Sequence, residues 1–154
     1  MAPKVGNKAP AFKMKTDGDE SVALKALKGK KVILYFYPKN DTPGCTKEAC
    51  GFRDNFPNFK KVKAVIIGIS KDNTKSHEKF KAKYGLPFTL ASDEDGKVSE
   101  AYGVWKEKNM YGRKYMGIER STFLIDEQGK LQAEWRKVKV PGHVEEVLKA
   151  AKGL

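Results

Sequence analysis

An apolar run that leads into a cysteine-bearing helix start constrains the fold of this chain more than any other feature. Residues 32–37 are continuously apolar, which is typical of a central strand covered on both faces. After a short loop, Thr42 is a good N-cap residue and Pro43 suits the first helical position, so a helix is predicted from there to about Asn55. Cys45 then lies in the first turn, where free backbone N–H groups and the helix dipole favour a thiolate.

Further strand and helix patterns alternate along the chain. Strands are predicted at residues 65–69, 121–125 and 131–135, and the turn 126–129 joins the last two into a hairpin. Helices are predicted at residues 73–84, which Gly85 ends, at 98–102, and after Pro141-Gly142, where Val144, Val147, Leu148 and Ala151 form an apolar stripe. The alternation predicts an α/β/α sandwich with a central mixed β-sheet flanked by helices.

Composition limits the classes of function. The chain has 154 residues, of which 40% are hydrophobic, so we expect one domain over residues 1–154. No apolar run approaches the length of a membrane span, and residues 1–11 lack a hydrophobic signal core, so we expect a cytoplasmic protein with no membrane partner. The net charge of +12 comes mainly from lysines interspersed with acids, and we therefore expect no specific nucleic-acid partner.

The chain has two cysteines, Cys45 and Cys50. In a reducing compartment such a pair is more often catalytic or free than a structural disulfide. We expect the Thr42 hydroxyl to face the Cys45 backbone N–H across the helix cap. Cys50 follows closely enough in sequence to react with an oxidised Cys45. The segment therefore predicts cysteine redox chemistry.

A Pro-x-x-x-Thr-x-x-Cys pattern is formed by Pro38, Thr42 and Cys45. With it come the run 41–50, which reads DTPGCTKEAC, and the segments 52–54, 76–77, 102–105, 110–112 and 117–126. In these residues the chain resembles the peroxiredoxins, and within them the peroxiredoxin Q or bacterioferritin comigratory protein subfamily. The similarity extends from residues 6–12 to the last helix. It implies a thioredoxin-like fold and a thiol-dependent peroxidase that acts on hydrogen peroxide and organic hydroperoxides.

The resemblance also implies roles for single residues. Cys45 would be the peroxidatic cysteine, which attacks the hydroperoxide and becomes a sulfenic acid. Thr42 would hydrogen-bond the peroxide, and Pro38 would shield the pocket from water. Arg120 would stabilise both the thiolate and the departing oxygen, a task that suits the rigid guanidinium fork better than a lysine ammonium.

Two residues of the same helix are candidates for support of the site, namely Gly44 and Glu48. Arg120 could instead form an ordinary salt bridge with a carboxylate such as Glu48, and the two roles are compatible because a partner could orient the arginine. Glu48 itself is either such a support or a solvated helix charge, and the sequence leaves this choice open.

Cys50 is the candidate resolving cysteine. Five residues of helix separate two Cα atoms by about 8–9 Å, whereas a disulfide tolerates about 7 Å at most. A Cys45–Cys50 disulfide therefore requires the first turns of the helix to unwind, and Gly51, a poor helix former, makes that easier. The alternative is a buried Cys50 with no partner.

The resemblance further implies an atypical 2-Cys cycle that thioredoxin or a similar dithiol closes. It implies a monomer, because the disulfide is intramolecular, and it implies no metal, haem, flavin or other cofactor. His77 and His143 lie in no ligand pattern, so solvent-facing or structural roles are predicted for them.

Two other classes of function remain open on the sequence. A thioredoxin-type disulfide reductase shares the fold but needs a Cys-x-x-Cys turn, whereas the spacing here is Cys-x-x-x-x-Cys. A basic nucleic-acid-binding or chaperone-like protein would carry the thiols incidentally, and its DNA binding would be salt-sensitive and unaffected by Cys45→Ser.

Overall fold

A mixed β-sheet of seven strands runs through the computed structural model, which describes residues 3–154. The strands are β1 (Lys13–Thr16), β2 (Ser21–Ala23), β3 (Lys31–Phe36), β4 (Ala64–Ser70), β5 (Thr89–Ser92), β6 (Trp105–Met110), β7 (Arg113–Ile118), β8 (Ser121–Ile125) and β9 (Leu131–Trp135). The sheet order is β2-β1-β5-β4-β3-β8-β9, while β6 and β7 form a separate pair. Strands β3, β4 and β5 are parallel, and the others join antiparallel.

Five α-helices connect and cover these strands. They are α1 (Pro43–Asp54), α2 (Phe56–Lys61), α3 (Thr74–Tyr84), α4 (Lys97–Ala101) and α5 (His143–Lys152). Short 3₁₀ turns at Asp17–Asp19 and Leu24–Leu27 complete the structure. No helix within residues 3–154 has the length and apolar character needed to cross a lipid bilayer.

Strand β3 lies inside the sheet, between β4 and β8, and each of its six residues is buried. Because side chains alternate across a strand, it contributes to two cores. Ile33 and Tyr35 pack with residues of α1, α2, α3 and α5, whereas Leu34 and Phe36 pack on the opposite face with Tyr102 and its neighbours. The predicted helix-covered mixed sheet is confirmed, with most of the helices on one face.

The elements around the site were predicted close to their observed bounds, and several others were not predicted. Strands β3, β4, β8 and β9 and helices α1, α3, α4 and α5 match the predicted elements within a few residues. The unpredicted elements are β1, β2, β5, the β6–β7 hairpin and α2. Pro57 follows the end of α1 and also lies in the first turn of α2. A backbone N–H in that turn has no partner within the helix, so the missing N–H of proline loses no hydrogen bond there.

Candidate active site

Cys45 lies in the first turn of α1, directly after the loop that leaves the carboxyl end of β3. Its side chain belongs to the core on the α1 face, and the residue is only 1% exposed. The loop is held in place at Asp41, which has a positive φ of 60°. The Asp41 carboxylate accepts hydrogen bonds from Lys83 Nζ and from the Tyr84 hydroxyl, each at 2.7 Å. A buried thiol is thus fixed at a helix N-terminus.

Arg120 connects the thiol to a second group on α1. It lies in the two-residue connection between β7 and β8, and not within a strand. Its Nη2 donates to Cys45 Sγ at 3.1 Å, and its Nη1 donates to Glu48 Oε1 at 2.7 Å. The side chain is 16% exposed, so both bonds form in a largely desolvated setting. The thiol contact and the salt bridge considered for Arg120 therefore coexist.

Glu48 is fully buried one turn beyond Cys45, which excludes the interpretation of a solvated helix charge. Desolvation raises the pKa of its carboxyl from 4.5 to about 7, against the opposing effect of the Arg120 charge and hydrogen bond. Its Oε2 accepts no hydrogen bond from residues 3–154. Glu48 therefore positions Arg120 at a considerable cost in desolvation.

His143 lies 3.9 Å from that second oxygen, measured from its Nε2 to Glu48 Oε2. Burial, and then the Arg120 charge, lower the pKa of His143 to about 4, so the imidazole is neutral at neutral pH and the pair is not an ion pair. The same Nε2 shares a hydrogen bond of 2.8 Å with the Thr122 hydroxyl. His143 and His77 are both buried, so of the two roles that the sequence left open the solvent-facing one is excluded. The structural role agrees with these contacts.

The Thr42 hydroxyl does not cap the helix, which corrects the predicted contact with the Cys45 N–H. It donates instead to the Lys39 carbonyl at 3.0 Å, because the turn of the loop brings that carbonyl within reach. The Thr42 carbonyl accepts from the Thr46 N–H at 2.8 Å, so Thr42 remains the N-cap residue in its backbone. The Thr42 oxygen keeps lone pairs that can accept a hydrogen from a ligand.

Pro38 and Gly44 flank the same site in different ways. Pro38 is exposed on the loop after β3, so its predicted part as a water shield stays a prediction. Gly44 lies beneath the arginine, and a Cβ built there would be 3.2 Å from Arg120 Nη2. That approach is closer than ordinary van der Waals contact. The absence of a side chain at residue 44 therefore lets the guanidinium reach the thiol.

A family model described as the AhpC/TSA family matches residues 5–134 of the chain. The chain belongs to this family. It is 62% identical over 148 residues to a putative peroxiredoxin bcp of Coxiella burnetii, covering 96% of this chain and 98% of the relative. It is 53% identical over 154 residues to peroxiredoxin Bcp of Bacillus subtilis, covering 100% of this chain and 98% of the relative.

Solved structures of peroxiredoxins have the same fold. A mutant of the Xylella fastidiosa PrxQ superposes with a TM-score of 0.94 at 39% identity, covering 99% of this chain and 98% of that one. The bacterioferritin comigratory protein of Xanthomonas campestris superposes with a TM-score of 0.91 at 44% identity, covering 97% of this chain and 98% of that one. The protein is thus a thioredoxin-like peroxiredoxin of the Bcp or peroxiredoxin Q type, a thiol-dependent peroxidase.

Both cysteines of this peroxiredoxin are free thiols on one unbroken helix. Cys45 is buried and Cys50 is half-buried, so Cys50 is the more accessible of the two. Gly51 is a weak helix former, and it also allows α1 and α5 to pack closely, because a Cβ there would lie 3.0 Å from Val144 Cγ2 of α5. Opening the end of α1 would therefore also loosen its contact with α5.

The sequence could have indicated that His143 belongs to this peroxiredoxin site. His143 precedes Val144 and stands four residues before Val147, so it continues the apolar stripe of α5 toward the core. No sequence pattern pointed to Lys108, although burial and the charge of Arg120 lower its pKa. Within residues 3–154 no group of three or more His, Cys, Asp or Glu residues could hold a metal ion.

Proposed function

We propose that this peroxiredoxin reduces hydrogen peroxide and organic hydroperoxides with Cys45 as the peroxidatic cysteine. The observation that carries the proposal is the forked contact of Arg120, whose two terminal nitrogens bond Cys45 Sγ at 3.1 Å and Glu48 Oε1 at 2.7 Å. A cationic donor beside a buried thiol stabilises the anionic nucleophile and the charge on a leaving oxygen. The organic part of the substrate range is supported by the similar bacterioferritin comigratory protein of Xanthomonas campestris, which has alkyl peroxide reduction activity.

In the first step the Cys45 thiolate attacks one peroxide oxygen. The O–O bond breaks as the S–O bond forms, and the sulfur is oxidised to a sulfenic acid. The remaining oxygen leaves as hydroxide or alkoxide and takes up one proton, which balances the proton lost when the Cys45 thiol ionised, to give water or an alcohol. The Arg120 N–H groups face the thiol and can stabilise the leaving oxygen. The Thr42 hydroxyl donates to Lys39, so it would accept the peroxide hydrogen. The unpaired N–H groups of the first turn of α1 supply further donors.

Cys50 would then resolve the sulfenic acid. Its thiol attacks Cys45 Sγ, a disulfide forms, and water is lost. Both thiols lie on α1, which is continuous from Pro43 to Asp54, so the disulfide requires its first turns to unwind. A dithiol reductant such as thioredoxin would return the disulfide to two thiols, and an intramolecular disulfide is compatible with a monomer acting in the cytoplasm.

The test is to add one equivalent of hydrogen peroxide to the reduced protein and to map its thiols by mass spectrometry. A loss of two hydrogens located to a Cys45–Cys50 link is expected within seconds. An oxygen adduct on Cys45 alone would leave Cys50 without a resolving role. Two unmodified thiols after several minutes would overturn the assignment of Cys45.

A further inference from the structure

The β6–β7 hairpin has two chemically different faces. Paired residues of an antiparallel hairpin point to the same side, and here Lys106 pairs with Gly117, Lys108 with Tyr115 and Met110 with Arg113. This side, which we call the cationic face, carries three of the four basic residues of the two strands and no acid. It consists of Lys106, Lys108, Met110, Arg113, Tyr115 and Gly117. The other side carries the acid Glu107 opposite Met116 and the basic residue Lys114, whose Nζ lies 3.8 Å from Glu107 Oε1. At the base of this side Ile118 is buried in the core.

The outer end of the cationic face exposes large apolar side chains. Met110 is 55% exposed, Tyr115 is 43% exposed, and Tyr111 at the tip is 99% exposed. Tyr111 and Gly112 form a two-residue turn with φ angles of 53° and 78°. Such a turn favours Asn-Gly, because an aromatic residue with positive φ is strained. Tyr111 therefore costs conformational energy and gains no packing within residues 3–154, which points to a contact outside the chain.

The base of the hairpin adjoins the active site along the chain, because β7 ends at Ile118 and Arg120 follows two residues later. A Cβ on Gly117 would lie 3.3 Å from Lys108 Cδ, so the lysine stem lies over this base. Burial lowers the pKa of Lys108, and the charge of Arg120 lowers it further while Cys45 opposes this. The hairpin thus leads from its exposed tip to the connection that carries Arg120, whose Nη2 bonds Cys45 Sγ at 3.1 Å.

We propose that the cationic face of the β6–β7 hairpin is the docking surface for the protein dithiol that reduces the Cys45–Cys50 disulfide, and that this partner presents acidic and apolar groups. The inference rests on the proposed function. The reductant must bring a thiol into bonding contact beside Cys45, so its docking surface has to be continuous with the site. Tyr, Met and Arg are enriched in protein interfaces, and the acid-free charge of this face is complementary to an acidic partner.

Two adjacent residues of β7 provide a matched pair of variants. Arg113 lies on the cationic face and Lys114 on the other, both are exposed, and a change to Glu reverses the charge equally at each. Arg113→Glu is expected to lower kcat/KM for an acidic thioredoxin about tenfold, whereas Lys114→Glu stays within about twofold of the wild type. Asn tolerates the positive φ at residue 111, so Tyr111→Asn keeps the turn and removes the aromatic ring. This variant is expected to lower kcat/KM for the acidic thioredoxin about fivefold.

Dithiothreitol as the reductant separates docking from chemistry. With dithiothreitol all three variants are expected to turn over at the wild-type rate, and the rate constant for peroxide attack is expected to be unchanged. Raising the salt concentration should slow the wild type with thioredoxin but not Arg113→Glu.

Equal values of kcat/KM with thioredoxin for Arg113→Glu and Lys114→Glu would overturn the proposed docking surface. They would leave the proposed peroxidase function intact. A second outcome is that the protein sediments with phosphatidylglycerol vesicles, that only Arg113→Glu abolishes this, and that kcat/KM with thioredoxin is unchanged. The cationic face would then be a binding site for a lipid surface and not for the reductant. A wild-type protein that forms no disulfide and fails with dithiothreitol would instead remove the proposed function.

Discussion

The ionisation of Glu48 should control how readily α1 opens. Glu48 is fully buried on α1 between the two cysteines and is held by Arg120 at 2.7 Å. Unwinding of the helix would return the carboxyl to water and to an ordinary pKa. Because burial raises the pKa of Glu48 in the closed helix, the closed state binds the proton more tightly than the open state. Opening should therefore become easier as the pH rises.

The magnitude follows from the two pKa values of Glu48, about 7 in the closed helix against an ordinary 4.5. This contribution to the stability of the closed helix is fully present below pH 4.5 and is lost as the pH rises through about 7. The full difference between these two pKa values corresponds to about 3 kcal/mol in the stability of the closed helix. Between pH 5 and pH 7 the population of the open helix should rise roughly 40-fold from this group alone.

Amide hydrogen exchange of α1 in the reduced protein measures this opening without any turnover. After correction for intrinsic exchange rates, protection of the Ala49 and Cys50 amides should fall from pH 5 to pH 7 in the wild type. In Glu48→Gln, which has nearly the same shape and does not titrate, protection should vary much less. The ratio of the protection factors of the two proteins removes the effects of all other titrating groups. A ratio that stays constant over this pH range would refute the reasoning.

Three further substitutions test the site. Arg120→Lys should keep the fold but slow peroxide attack about 100-fold, because one ammonium cannot bond Cys45 and Glu48 as a fork; an unaltered second-order rate constant would remove Arg120 from the site. Gly44→Ala should also slow peroxide attack, since its Cβ would lie 3.2 Å from Arg120 Nη2, and stopped-flow measurements at an unchanged melting temperature would check this. Cys50→Ser should form the sulfenic acid once, turn over poorly with thioredoxin and overoxidise more readily; an unchanged steady-state rate would exclude Cys50 as the resolving residue.

The part of the fold around Cys45 could be predicted because local signals agree there. The apolar run 32–37 is typical of a strand that is buried on both faces. Thr42 and Pro43 are residue types that favour the start of a helix. The position of Arg120 beside the thiol followed from a family resemblance and not from spacing. No local pattern connects residues so far apart in the sequence.

The hairpin and the buried carboxyl could not be predicted for physical reasons. Strands β6 and β7 are largely exposed on both faces, so they lack the alternation that identifies a half-buried strand, and their turn carries Tyr111 where Asn is expected. Glu48 has the sequence context of an ordinary helix charge, and only the packing of α5 and the β7–β8 connection removes it from water. The Thr42 hydroxyl had two partners within three residues, and the loop conformation decided between them.

In the proposed cycle one arginine would both activate the thiol and hold the helix that must later open. Arg120 bonds Cys45 and Glu48, which lie in the first turns of α1, the segment that a Cys45–Cys50 disulfide has to unwind. A sulfenic acid is neutral, so oxidation of the thiolate in the proposed cycle would replace an anionic partner of Arg120 with a weaker one. The reaction with peroxide thereby weakens one of the two bonds that fix the helix start. In the proposed cycle, reduction of peroxide and release of the helix would thus be coupled through the same side chain.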